Sequence, residues 1–325
     1  MQHNTKEVKR ISKISYILVT LILISCALFL TLGIKSGNLD YALSQRIPKL
    51  IAIILTGGAI AFSTVIFQTV VDNHILTPSV MGLDSLYVLI QSTIVFLLGT
   101  SSVFIVNKKI NFAICVVFMI LGSLLIYKII FKRGKGNIIF LLLIGMVCGT
   151  LFKSLSTFMQ MAIDPNEYLT LQNKLFASFN NVNVDILMFA VIIIILMIPF
   201  IYDDIKYLDV MSLGRDHAIN LGVQYDKLVK KFLVIVSVLV AISTALVGPL
   251  TFLGLLVVNL TRQIAKTYKH KYLILLSILV SIFTLVFGQL LAERVLKFST
   301  PVSVIINLVG GIYFMYLLYK ESKVW

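Results

Sequence analysis

Ten separate stretches of this chain are apolar, most of them near the ~20 residues a helix needs to cross a hydrocarbon layer. They cover 14–33, 49–71, 80–99, 110–131, 138–162, 184–202, 228–247, 250–264, 271–296 and 301–320, the eighth short enough to read as re-entrant. Lipid offers no water to exposed backbone groups, so such runs fold as helices. The expected fold class is all-α: a polytopic membrane protein of about ten transmembrane helices, one domain over residues 1–325. With 59% hydrophobic and 13% charged residues, a soluble fold is excluded.

A net charge of +14 would by itself suit a nucleic-acid binder, but its distribution does not. With the N-terminus in the cytoplasm, 19 of the 28 Lys and Arg fall on the inner side. They lie among Lys6, Lys9, Arg10 and Lys13, from Lys128 to Lys135, from Lys206 to Lys231, from Arg262 to Lys271, and at Lys320 and Lys323. Eight lie outside: Lys35, Arg46, Lys49, Lys108, Lys109, Lys174, Arg294 and Lys297. An even number of spans with both termini cytoplasmic therefore satisfies the positive-inside rule. The excess charge faces an anionic inner leaflet, and no nucleic acid is expected. The first apolar run is too long for a signal peptide and lacks a small-residue cleavage site. Cys26, Cys115 and Cys148 have no metal or disulfide spacing and read as small core residues; no metal or cofactor is expected.

Two hydrophilic stretches exceed a turn. The outer one, 163–183, starts with Asp164-Pro165 as a helix signal and continues with Leu169, Leu171, Leu175, Phe176 and Phe179 in an amphipathic pattern suited to the membrane surface. The inner one, 202–231, reads as two short helices interrupted at Gly214 and Gly222, a place for a soluble partner to dock.

Four blocks carry more specific information. The first runs from Arg46 to Leu86: Arg46-Ile47-Pro48-Lys49 at a helix start, then Gly57, Gly58 and Ala59 with Ala61 and Ser63 making a face small enough for close helix packing. With Gln68, Asn73, Pro78 and Gly82 it resembles the FecCD-type permeases of ABC importers for ferric siderophores, haem and cobalamin, departing at Lys49, Thr64, Asp72 and His74. The second, Leu213-Gly214-Arg215-Asp216 with Ala218, Leu221 and Gly222, is similar to that family's ATPase-coupling segment, placed here at 203–227. The third, Gly248 to Arg262, and the last, Pro301 to Phe314 with Gly310 and Gly311 at a packing position, follow in order, with Ser303 and Ile312 as departures.

The resemblance implies the ABC importer type II permease fold, two permease subunits around a central path, and an inverted repeat over roughly 46–162 and 228–320. The partners it implies are a second permease, two cytoplasmic ATPases and an extracytoplasmic siderophore-binding lipoprotein, the last seated on Arg46 and Lys49. The stretch PSVMGLDSLY resembles second-permease members of petrobactin-like, catecholate-type systems, which implies a heterodimer in the bacterial cytoplasmic membrane.

Ionisable groups inside a span are costly and so are functional candidates. Asp84 and Lys153 qualify. Asp84 suits helix capping or an inter-helix hydrogen bond. Lys153, with Ser156, Thr157 and Gln160, lies on the helix that lines the path in the family; it suits an anionic chelate, and equally snorkelling or a carboxylate partner. The four histidines are placed in cytoplasmic loops, and no phosphate loop, HExxH or GxSxG occurs, so ATP hydrolysis is assigned to another chain and none to this one. The rival readings are a secondary transporter, against which the sequence has no chain of embedded carboxylates beyond Asp84, a membrane-embedded transferase, against which it has no metal or phosphate constellation, and a cobalamin or haem importer permease.

Overall fold

The computed structural model describes residues 2–33, 39–133, 138–180, 182–297 and 300–322. Lys35, Lys135 and Lys323 of the charge assignment lie outside them. Ten long helices correspond to the ten apolar stretches: α1 (Gln2–Thr31), α2 (Leu39–Val71), α3 (Leu83–Leu98), α5 (Lys108–Arg133), α6 (Ile138–Ala162), α8 (Val184–Tyr202), α11 (Tyr225–Val247), α12 (Leu253–Ala265), α13 (His270–Leu290) and α14 (Val302–Ser322). Short helices fill the connections: α4 (Val103–Val106), α7 (Pro165–Leu175), α9 (Ile205–Met211) and α10 (Arg215–Asn220). No strand occurs among the described residues.

α2 is the central helix, packed against α13, α11 and α12, while α3 lies in the angle between α5 and α6. The sequence explains the closeness of these crossings. A Cβ on Gly57 would stand 3.0 Å from Leu285 Cδ1 and 3.1 Å from Ser281 Oγ of α13, and one on Gly310 would stand 2.5 Å from Phe252 Cβ. Ala59 is buried with them. Gly58 has only an ordinary contact at 3.7 Å, and Gly311 meets nothing within 4 Å, so these two do not mark tight crossings within the chain.

α3 and α12, at 16 and 13 residues, are about 24 and 20 Å long, shorter than the ~30 Å hydrocarbon core. Each follows a break in the helical path. Before α3 the chain leaves α2 at Asp72, makes one 3-10 turn over Pro78–Met81, and enters α3 through Gly82 at φ 80°. Before α12 it leaves α11 at Gly248 with φ 98°. Gly82 presses on Gly149, near the middle of α6, so the first break lies well inside the bundle. Thr251 Oγ1 donates to Asp84 Oδ2 at 2.9 Å and joins the two breaks. Asp84 is thus an inter-helix acceptor. The short, broken helix holds the second place in both proposed repeats, the arrangement in which transporters build inverted halves.

The outer stretch folds as α7, with Asp164 accepting from Asn166 N at 2.9 Å as its N-cap. Its Leu171 is buried against Val95 and Ile105, so the helix is seated on α3 and α4, and the following Ala177 and Phe179 enter the core. Of the cysteines only Cys115 is fully buried; Cys26 and Cys148 are half-buried.

Candidate functional site

Three regions hold the residues singled out by sequence. The first is the segment 203–227, expected on the cytoplasmic side. α9 and α10 are separated by Gly214, at φ 95° and ψ 161°, and α10 is followed by Gly222, at φ 84°. Both conformations are hostile to a side chain; Gly214 sets the angle between α9 and α10, and Gly222 the turn from α10 into α11. Leu208, Met211 and Ala218 point inward and are buried. Leu213, Ile219 and Leu221 point outward, 57%, 43% and 64% exposed, with Asp216 beside them. Arg215 pairs with Asp226 at 3.2 Å. The segment is therefore anchored on one face and presents apolar side chains on the other.

The second region is the outer end of the bundle. Arg46 does not project: its Nη1 donates to Phe29 O and Leu30 O, both at 2.9 Å, satisfying carbonyls at the end of α1. Lys49 Nζ donates to Asn180 Oδ1 at 3.2 Å and stands 3.8 Å from Glu293 Oε1. Gln289 Nε2 reaches the same Asn180 and Glu293 oxygens, at 3.1 and 2.8 Å. A π turn over Leu291–Val295 carries Glu293 and Arg294, and Arg294 donates to Leu32 O. Arg46 and Lys49 thus tie α1, α2, Asn180 and the π turn after α13 together. Lys49 also lines an outward cavity of about 350 Å³ with Lys108, Asn180, Asn183 and Asp185. The more exposed charges there are Lys109 and Asp185, paired at 2.6 Å. Lys174, on α7, donates to Ile105 O at 2.9 Å, and burial holds its ammonium below the ordinary lysine value.

The third region is α6. Its four candidates, spaced i, i+3, i+4 and i+7, share one side of the helix and straddle the edge of its buried face. Lys153 and Thr157 are exposed, along with Met146 and Met161. Ser156 is buried and donates to Phe152 O at 2.7 Å, and Gln160 donates to Ser92 Oγ on α3 at 2.8 Å, so this pair faces inward.

Some residues were passed over in the sequence. His270 is not in a loop: it opens α13, buried, between Asp209 and Thr69. Arg262 lies in the last turn of helical α12, not in a connection, and its Nε and Nη2 are buried, which adds a third ionisable group to Asp84 and Lys153. Gln68 and Asn259 both donate to His74 O, at 2.6 and 2.9 Å, closing the turn whose sequence departs from the family pattern. Burial and the nearby Arg262 charge lower the His74 pKa, opposed by Asp72. Arg10 caps the carbonyls of Ala265 and Lys266, so part of the inner charge also has a structural use. Only the Gln in the Arg46 block offered a hint of these long-range ties.

Among the described residues, seven helices long and apolar enough to cross a membrane, the shorter apolar α3 and α12 after their breaks, and a glycine-hinged segment at one end fit a polytopic transport permease. Its fold is that of a transporter chain described as being of the metal-chelate ABC type in an inward-facing conformation: the TM-score is 0.83 at 23% identity, covering 95% of this chain and 99% of that one. The chain belongs to the FecCD transport family, which it matches over residues 11–320. It is 59% identical to the petrobactin import system permease protein YclO of Bacillus subtilis, over 95% of this chain and 98% of the relative. It is 36% identical to the petrobactin import system permease protein FatC of Bacillus anthracis, over 89% and 81% of the two chains. A second Bacillus subtilis petrobactin permease, YclN, is 24% identical over 86% of each.

Proposed function

We propose that this chain is one permease half of an ATP-binding cassette importer that carries a ferric siderophore of the petrobactin class into the cytoplasm. The supporting observation is the 59% identity, across nearly both full lengths, to a permease of petrobactin import. The same bacterium has a second permease of that name only 24% identical to this chain, which supports a paralogous partner and a heterodimer. The segment 203–227 is the surface gripped by one of two ATPase subunits: its exposed Leu213, Ile219 and Leu221 give a groove something to cover, and its buried face ties it to the membrane helices. Both termini are cytoplasmic, in keeping with the basic inner loops. An extracytoplasmic binding protein docks at the outer end, where Arg46 and Lys49 shape the surface from within and Lys109 and Asp185 offer exposed charge. In cells, uptake of radio-iron as ferric petrobactin should survive a protonophore and stop on ATP depletion; the reverse result identifies a secondary transporter.

The exposed face of α6 lines the path in this reading, and Lys153 supplies its positive charge. Lys153→Met is then expected to lower transport of an anionic ferric chelate about fivefold relative to a neutral one, the effect of ~1 kcal/mol of charge interaction. Equal effects on both chelates, compared in proteoliposomes, would leave Lys153 a packing or interfacial residue.

A further inference from the structure

Among the described residues, three ties through carboxylates hold the cytoplasmic segment to the membrane helices, and they differ in where they lead. Asp204 pairs with Lys231, and Arg215 with Asp226. Each joins the segment to α11, the helix that follows it directly in the chain. The third tie crosses to helices far away in sequence. Asp209 Oδ1 accepts the backbone N–H of His270 at 2.7 Å and its ring Nδ1–H at 2.7 Å. On the opposite side of the ring, Nε2 is 2.8 Å from Thr69 Oγ1. His270 is 3% exposed and Thr69 4%.

This geometry has a mechanical consequence. Leu208 and Met211 seat α9 in the core by apolar contact, which is non-directional and permits sliding. The carboxylate-to-imidazole bond, its ring buried and its carboxylate 40% exposed, is directional and charge-assisted on the acceptor side. Thr69 is in the last turn of α2, and His270 is the first residue of α13, whose free N-terminal N–H Asp209 also satisfies. These two helices pack closely through Gly57, and at their outer ends Lys49 meets Glu293. They are thus clipped together on both sides of the membrane, and α9 holds the inner clip.

We propose that His270 is a positioning residue of the transport cycle: the Asp209–His270–Thr69 clamp makes α9, α2 and α13 move as one body, carrying displacement of the cytoplasmic segment to the outer Lys49–Glu293 cluster. The inference rests on the reading of 203–227 as the surface an ATPase grips, and the test separates the two. The complete transporter is reconstituted in proteoliposomes with its binding protein and ferric petrobactin, and transport is measured per ATP hydrolysed.

Asp209→Ala and His270→Ala should each lower that ratio about tenfold, and the double variant no further, because both remove one interaction. Asp209→Asn keeps an oxygen that accepts from both N–H groups and should retain most of the ratio. Gly214→Val serves as the control that breaks the segment itself. Wild-type ratios in Asp209→Ala and His270→Ala, with Gly214→Val uncoupled, overturn the clamp and leave the segment reading standing. A wild-type ratio in Gly214→Val as well overturns the segment reading. Equal losses in Asp209→Ala and Asp209→Asn, or losses matched by reduced assembly on size-exclusion chromatography, assign His270 a structural role and also overturn the proposal.

Discussion

Replacing Gly82 by alanine is expected to destabilise the folded protein by roughly 2–5 kcal/mol, enough to remove most of it from the membrane in native form. Two costs combine. At φ 80° the new side chain meets its own backbone, a penalty of about 1–2 kcal/mol. The new Cβ would also stand 2.7 Å from Gly149 Cα, a backbone atom of α6 that no rotamer change can move, and such overpacking costs about 1–3 kcal/mol. Gly149→Ala attacks the same crossing from the other side, with a Cβ 3.0 Å from Gly82 Cα and no left-handed φ to violate, so its effect should be smaller. Gly311→Ala meets nothing within 4 Å and should change stability by no more than about 0.5 kcal/mol. Heating the detergent-solubilised variants and following the monodisperse fraction ranks them. If Gly82→Ala and Gly311→Ala melt together, the entry into α3 is not packed on α6 as described. The crossing also matters for the polar link between the two halves, because Gly82 delivers Asp84, two residues later, to Thr251.

The ten helices were readable because length and apolarity are summed over a whole segment, and no single residue decides them. The hinged pair in the inner segment was readable for a different reason: Gly214 and Gly222 are local signals for backbone that other residues disfavour. The breaks before α3 and α12 were only partly visible, since Gly82 and Pro249 lie within stretches whose average hydropathy hardly changes. Roles defined by partners distant in the chain were not visible at all. Arg46 reads as an exposed outer cation until α1 is seen to end beneath it, at Phe29 and Leu30. His270 reads as a loop residue until α9 folds back and sets Asp209 against it. Ser156 and Lys153, three residues apart, read as one polar patch; the edge of the packed face runs between them, so one is buried and the other exposed. In each case composition names the chemistry available, and the tertiary contact decides its use.

Valine at Gly214 and Gly222 together should leave membrane insertion intact and reduce substrate-stimulated ATPase activity of the assembled transporter at least about tenfold, the size of effect that ~1–3 kcal/mol of backbone strain per site can produce. Insertion is spared because a Cβ at either position meets nothing within 4 Å. The cost is borne by the backbone alone. Gly214, at φ 95° and ψ 161°, occupies a region essentially reserved for glycine, and Gly222 at φ 84° is left-handed. Valine relieves its strain by turning φ negative, which swings α10 away from α9. Two observable contacts then fail: Ala218, the buried residue of α10, loses its seat, and Arg215 moves out of reach of Asp226, now 3.2 Å away. The outward row of Leu213, Ile219 and Leu221 loses the spacing that a rigid groove on an ATPase would match. A motor in the cytosol can drive membrane helices only through a protrusion that keeps its shape under load, so misdirected helices should still bind weakly and fail to respond. The measurement is ATP hydrolysis with and without the loaded binding protein. Normal stimulation in the double valine variant would remove the coupling role from 203–227, whereas loss of stimulation with wild-type insertion places the joint between motor and channel at these two glycines.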